Sequence, residues 1–189
     1  YTESSPDNSS WEGLLGSAKT PTFPYNDLAK DYQTKKDNIR YTPFGNTLTL
    51  KLAEASVEGE KLGGDAITDF LAINLASTDY AGHKFGPNSI EVEDVYIRLD
   101  QDLAEFFNYL DSKVGKGEYT VFLSADHGGA HSVGFLKEHK IPTGFFGEGA
   151  EKNINEKLKA KFGADKLINA IDNYQIYFDR KVLADSKLE

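Results

Sequence analysis

Two short apolar runs bracketing one long amphipathic stretch constrain the fold of this chain more than any other feature. Asp69-Phe70-Leu71-Ala72-Ile73-Asn74-Leu75 is nearly continuous in apolar residues and strand-sized, as is Tyr119-Thr120-Val121-Phe122-Leu123-Ser124. Such runs suit parallel strands covered on both faces. Between them Val95, Leu99, Leu103, Phe106 and Leu110 recur every three or four residues, which predicts an amphipathic helix over residues 89–113. Glu91, Glu93 and Asp94 fall in its first turns, where the helix dipole favours acids, and Gly115 and Gly117 end it. Strand, helix, strand makes a βαβ unit, expected to be parallel and right-handed. The fold class is therefore α/β, a mostly parallel sheet flanked by helices.

The remaining elements are built around that unit. Residues 1–45 are rich in Ser, Thr, Asn, Asp, Pro and Gly and read as an irregular lead-in, with one short helix near Asp27–Lys36. Pro43-Phe44-Gly45-Asn46 forms a turn, with Asn46 or Thr47 as N-cap of a helix carrying Leu48, Leu52, Ala55 and Leu62 until Gly63-Gly64 stops it. Residues 77–88 read as a polar loop, and so does the chain after Gly129 as far as Gly149. Beyond lie a lysine-rich helix over Asn153–Phe162, a shorter one near Lys166–Ile171, a strand at Gln175–Phe178 and a helical tail after Asp179.

With 189 residues the chain fits one domain, or a large piece of a bigger one. No apolar run of about 18 residues is present, so no membrane span is expected. Thirty acidic against 21 basic residues argue against a nucleic-acid surface, which needs clustered Lys and Arg. They leave a phosphate substrate open, because a bound divalent ion reverses the local potential. The absence of cysteine rules out disulfides and thiolate metal sites. The chain begins at Tyr1 and contains no methionine, which reads as a processed product or an excised fragment.

Two polar clusters follow the two apolar runs directly. The first, Ser77-Thr78-Asp79-Tyr80-Ala81-Gly82-His83, sets a carboxylate and an imidazole four residues apart; the second is Ser124-Ala125-Asp126-His127-Gly128-Gly129. Ligands of open α/β sheets bind at the carboxyl ends of strands, where both clusters lie. Carboxylate oxygen and imidazole nitrogen are ordinary zinc ligands, and a spacing of four puts Asp79 and His83 on one face of a helical turn. Asp126 and His127 could chelate at a strand end, where Gly128-Gly129 lets the backbone approach closely. Either pair alone is more often a surface or capping pair; their joint placement at successive strand ends favours a metal site. Four ligands are too few for two closed ions, and correspond to part of a two-metal site.

The stretch from Asp69 to Phe146, and above all residues 77–87 and 124–128, closely resembles the alkaline phosphatase superfamily. The resemblance is strongest to bacterial alkaline phosphatases with a threonine nucleophile, kin to type I phosphodiesterases and nucleotide pyrophosphatases. It extends to Thr42-Pro43-Phe44-Gly45-Asn46, to Asn88-Ser89-Ile90-Glu91 and to Tyr96-Ile97-Arg98-Leu99-Asp100, and fades outside about residues 40–146. It implies a zinc-dependent hydrolase acting on small phosphate esters with two Zn2+ ions, one held through Asp79 and His83, the other through Asp126 and His127. It also implies a periplasmic or otherwise extracytoplasmic setting.

The chain departs from that pattern where the family places its nucleophile and first aspartate ligand. The 78 residues before Asp79 offer no strand for them. Thr22 in Thr20-Pro21-Thr22-Phe23-Pro24 is a superficial match, and Thr47 reads as a cap or first-turn residue. His131 and His139 suit loop or supporting roles, and Lys84 and Arg98 are weak candidates for substrate contact. No catalytic residue is assigned. The economical reading is a partial alkaline phosphatase-like catalytic domain over residues 1–189, silent by itself, with phosphodiester or nucleotide pyrophosphate cleavage as the alternative chemistry. A non-catalytic metal-binding or interaction domain is the alternative of another class.

Overall fold

A computed structural model describes residues 4–145, 149–173 and 175–188. The chain folds as two compact units, Tyr1–Pro142 and Thr143–Glu189.

In the first unit, α1 (Leu28–Thr34) and a 3-10 turn (Lys36–Tyr41) lead into α2 (Pro43–Glu60). α3 (Ser77–Phe85), α4 (Ile90–Leu110) and the short α5 (Val133–Glu138) follow. α2 starts earlier than its sequence suggests. Pro43 takes the first helical position, where its fixed φ fits and its missing N–H costs nothing, and extended Thr42 precedes it. Asn46 is therefore not a cap. It lies inside the helix, 1% exposed, and its Oδ1 accepts the Ser77 N–H at 3.2 Å. Thr47 donates its hydroxyl to Asp102 Oδ2 at 2.6 Å, joining α2 to α4. α4 begins as expected, with Ser89 as N-cap accepting the Val92 N–H, and runs into a π turn at Asp111–Gly115.

Residues 77–88, expected to form a loop, instead contain α3. Ser77, Ala81 and Phe85 are buried at i, i+4 and i+8, a stripe that the intervening polar residues and Gly82 obscure in the sequence. Part of the loop expected after Gly129 is likewise helical: Ser132 caps α5 by accepting the Phe135 N–H at 3.2 Å. Residues 146–148 of that expected loop lie outside the described residues.

Two apolar clusters hold this unit together. Leu15, Ala81, Phe85, Val92 and Val95 join the lead-in, α3 and α4. Leu50, Ala53, Val57, Phe106 and Leu110 join α2 to α4, and Leu71, Ile73 and Leu75 pack against them.

The two apolar runs do not form the expected parallel sheet. Residues 69–75 and 119–124 are extended, but no strand ladder joins them among the described residues. Nor are they covered on both faces. Leu71, Ile73 and Leu75 are half-buried while Phe70, Ala72 and Asn74 are exposed, the two-residue alternation of a chain with one covered side. The outward rings of Phe70 and Phe122 are both 77% exposed and stand 6.5 Å apart, so the two segments run near each other.

The second unit contains α6 (Ala150–Phe162), then β1 (Ile168–Asp172) paired antiparallel with β2 (Gln175–Phe178), and α7 (Arg180–Asp185). β1 replaces the short helix expected near Lys166–Ile171. Its local sequence is ambiguous, and the pairing with β2 decides it. Asn155 on α6 holds β1 by hydrogen bonds to both the N–H and the C=O of Ile168. Among the described residues no helix is long and apolar enough to cross a membrane.

Candidate metal centre

The geometry begins with α3. Its buried stripe faces the core, so the 100° step per residue carries Asp79 and His83 to the opposite, open side. Both ends of the helix are tied down. At its start Ser77 N–H is held by Asn46, and the first turn of α2 comes so close that a Cβ on Gly45 would collide with Ser77 Oγ. Only glycine permits that approach. At its end the Gly13 N–H donates to the Lys84 carbonyl at 2.9 Å, and Gly86, with φ of +88°, turns the chain away beside the Trp11 ring.

His127 comes from the second cluster, in an exposed loop that begins where the second apolar run ends. Its Nε2 lies 3.5 Å from Asp79 Oδ1, and His83 Nε2 lies 3.3 Å from the same oxygen. One donor atom from each of Asp79, His83 and His127 falls within 4.8 Å of the others, and all three residues are solvent-exposed. Asp126 stands at the margin of this group, its Oδ2 3.6 Å from His127 Nε2 and its side chain 87% exposed.

The donor set fits a metal ion on two grounds. The first is spacing: 3.3–3.6 Å is longer than a well-formed N–H···O bond. Two ligands each ~2.0–2.1 Å from one tetrahedral zinc ion stand about 3.3–3.4 Å apart; His83 Nε2 and Asp79 Oδ1 have that separation, and His127 Nε2 is slightly farther at 3.5 Å. The second is the tautomer of His127. Its Nδ1 lies 3.0 Å from the Gly128 carbonyl oxygen, which can only accept, so Nδ1 carries a hydrogen. In the neutral ring Nε2 then keeps its lone pair and faces two carboxylates, an arrangement that suits a cation between them. A backbone carbonyl holding the far ring nitrogen is the usual support of a metal-bound histidine. The cation can also be a proton. The Gly128 carbonyl, then Asp126 and Asp79, raise the His127 pKa above the ordinary imidazole value.

The other candidates lie elsewhere. Thr22 Oγ1 bonds Thr20 Oγ1 in the lead-in. His131 bonds Asn88 through Nδ1 and stacks on Phe135, which also stacks on His139. Arg98 is no simple solvated charge, since its Nε donates to both oxygens of Asp94. Lys84 lies 5.5 Å from the centroid of the Tyr41 ring. Sequence reasoning missed the positioning groups, Asn46, Gly45 and the Gly128 carbonyl. Gly45-Asn46 and Gly128 both lie inside sequence motifs, but their positioning roles do not show there.

The chain matches the type I phosphodiesterase / nucleotide pyrophosphatase family over residues 1–180. It belongs to that family. Alkaline phosphatase PafA of Elizabethkingia meningoseptica is 72% identical to it over 189 residues, covering all of this chain and 35% of that protein. A protein named calcium-transporting ATPase from Myroides odoratus is 47% identical over 196 residues, and alkaline phosphatase PhoV of Synechococcus elongatus 44% over 190; the chain covers 35% and 34% of them. The crystal structure of wild-type PafA superposes with a TM-score of 0.93, again over the whole chain and 36% of that structure. The alkaline phosphatase-like α/β fold of this family member is thereby established. The chain spans about a third of the length of the relatives it matches.

Proposed function

We propose that this chain contributes metal ligands to the active site of a zinc-dependent phosphomonoesterase. The observation that carries the reading is the convergence of His83 Nε2 and His127 Nε2 on Asp79 Oδ1. The alkaline phosphatases among its relatives support the reaction class. Asp79, His83 and His127 would hold one divalent ion. Asp126 would serve a second together with ligands from other segments, and His127 stands between the two positions. Such ions supply Lewis-acid polarisation of a phosphoryl oxygen and activation of a nucleophile. The chain's own residues keep Asp79 and His83 fixed on α3 and hold His127 in its ligating tautomer.

In a full-length context residues 69–75 and 119–124 would join a parallel sheet, and the enzyme would act outside the cytoplasm. By itself the chain would be catalytically silent and bind zinc weakly. Calorimetric titration with zinc should give an affinity weaker than micromolar that falls further in His127→Ala. Tight binding indifferent to that substitution overturns the assignment. In full-length protein, p-nitrophenyl phosphate should be hydrolysed and Asp79→Ala should abolish turnover; activity unchanged by Asp79→Ala refutes the role.

The family description favours a second reading, phosphodiester or pyrophosphate cleavage at the same ions. A higher kcat/KM for bis-p-nitrophenyl phosphate than for the monoester would select it.

A further inference from the structure

The turn that leaves α3 runs beside the segment that follows the second ligand cluster, and the two meet at three points. A Cβ on Gly86 would stand 3.7 Å from Ser132 Cβ, and a Cβ on Gly129 would stand 3.6 Å from Pro87 Cβ. Both are ordinary van der Waals separations, so the two backbones lie against each other. The third contact is directional: His131 Nδ1 lies 2.7 Å from Asn88 Oδ1. An amide oxygen only accepts, so Nδ1 carries a hydrogen. That hydrogen is present in the Nδ1–H tautomer and in imidazolium alike, so the bond survives protonation of the ring.

Both partners are themselves held. Asn88 is half-buried, its carbonyl oxygen accepts the Ser5 N–H at 2.6 Å, and its neighbour Ser89 caps α4. His131 stacks on Phe135 at 4.8 Å and 20°. Phe135 meets the Trp11 ring edge-on at 5.7 Å, and Trp11 Nε1 donates to Glu138 Oε2 at 2.9 Å, which fastens α5 to the lead-in. Residues 120–131 are exposed throughout, and the bond to Asn88 gives this segment a fixed point beside α3.

That fixed point lies close to the ligands on both sides. Asn88 is five residues beyond His83 and His131 is four beyond His127, whereas His83 and His127 are 44 apart in the chain. Four residues span at most about 14 Å, which bounds how far His127 can stray from His131. Closing two short spans also costs less entropy than closing one long one.

We propose that Asn88 and His131 are positioning residues, a latch that keeps His127 near Asp79 and His83 before an ion arrives. The latch leaves residues 125–128 to be ordered by the ion. Its role rests on the metal-binding reading of Asp79, His83 and His127, but its existence is testable without metal.

The isotope-labelled, metal-free chain is compared with Asn88→Ala, His131→Phe, His131→Asn and the double variant Asn88→Ala/His131→Phe. His131→Phe keeps a ring on Phe135 and removes the donor. His131→Asn removes the ring and places an amide N–H where Nδ1 stands. Imidazole nitrogen shifts should show His131 in the Nδ1–H form in the parent, a preference lost in Asn88→Ala. Backbone order parameters of residues 129–131 should fall below about 0.6 in Asn88→Ala and His131→Phe and recover in His131→Asn. Zinc calorimetry should give about fivefold weaker binding in each of those two variants, the size of one net hydrogen bond. The double variant should be no weaker than either single one, because both remove the same bond, and His131→Asn should retain the parent affinity. An Nε2–H tautomer in the parent, unchanged order parameters, or additive losses in zinc affinity each overturn the proposal. Zinc affinity indifferent to His127→Ala refutes the metal assignment instead, and the latch then stands or falls on the tautomer and the order parameters.

Discussion

The two corners that meet at the candidate metal centre are built in opposite ways. Asp79 and His83 ride on a helix whose inner stripe includes Ala81 and Phe85, both 0% exposed, and whose two ends are held by hydrogen bonds, one donated to Asn46 and one accepted from Gly13. Asp126 and His127 ride on an exposed loop and hydrogen-bond locally, within their own turn. A ligand on a packed helix is pre-positioned before the ion arrives; a ligand on a loop must be ordered by it, at an entropic cost. The helical corner should therefore set the position of the ion, and the loop corner should respond to it.

The sharpest way to break this comparison is to unpack the helix. Phe85→Ala removes a fully buried ring from the cluster of Leu15, Ala81, Val92 and Val95, and should cost about 3–5 kcal/mol of unfolding free energy in urea titration. If α3 is the rigid corner, zinc affinity should fall with stability. Affinity unchanged in a destabilised variant would mean that α3 packing does not position the ligands.

Next in size is the shared ligand. Asp79→Asn removes the charge on which both imidazoles converge, and should weaken zinc binding by at least about a hundredfold, more than loss of a merely supporting residue. Asp126→Asn should do less in this chain, since Asp126 is 87% exposed at the margin of the group. Equal losses in calorimetry would place the two corners on the same footing.

A smaller effect is expected at the tie between α2 and α3. Asn46→Ala leaves the Ser77 N–H without its acceptor, a change worth about 1–3 kcal/mol. The lower end applies, because Asn46 Nδ2 is itself buried without a partner and its removal offsets part of the loss. Hydrogen exchange should speed up in the first turn of α3 and stay unchanged in residues 124–129.

How far these corners were legible in the sequence follows from the same contrast. α4 was readable end to end, because Val95, Phe106 and Leu110 are buried at helical spacing and Ser89 caps it. α3 was not, because Ser77 occupies a buried position that an apolar pattern passes over. The parallel sheet was inferred from two runs whose apolar character is real, but ladders are non-local, and here the first run has one exposed face while residues 120–124 are exposed on both. The candidate ligands stood out as residue types at suggestive spacing. The sequence pairs Asp79 with His83 and Asp126 with His127; the structure in addition sets His127 close to Asp79 and His83. No local pattern encodes a contact across 44 residues or more.

The smallest expected effect isolates the far end of α3. Glu12, 7% exposed, precedes Gly13, whose N–H holds the Lys84 carbonyl. Burial pushes its carboxyl up to about 7, and the Ser9 N–H on Oε2 at 2.7 Å offsets only part of that; Glu91, Asp7 and Glu138 add repulsion in the same direction. The folded chain thus holds this proton more tightly than the unfolded chain, whose glutamates titrate near 4.3. The stability it contributes is complete below that value and is lost as pH rises toward about 7, since in this window the folded state binds the extra proton. Glu12→Gln should flatten the decline in Tm between those limits and leave the profile above pH 8 parallel to that of the parent. If the lead-in closes the end of α3, amides of residues 82–86 should exchange faster as Glu12 ionises, while those of residues 126–129 follow the titration of His127 alone. Identical pH profiles in the two segments would show that the corners are not mechanically separate.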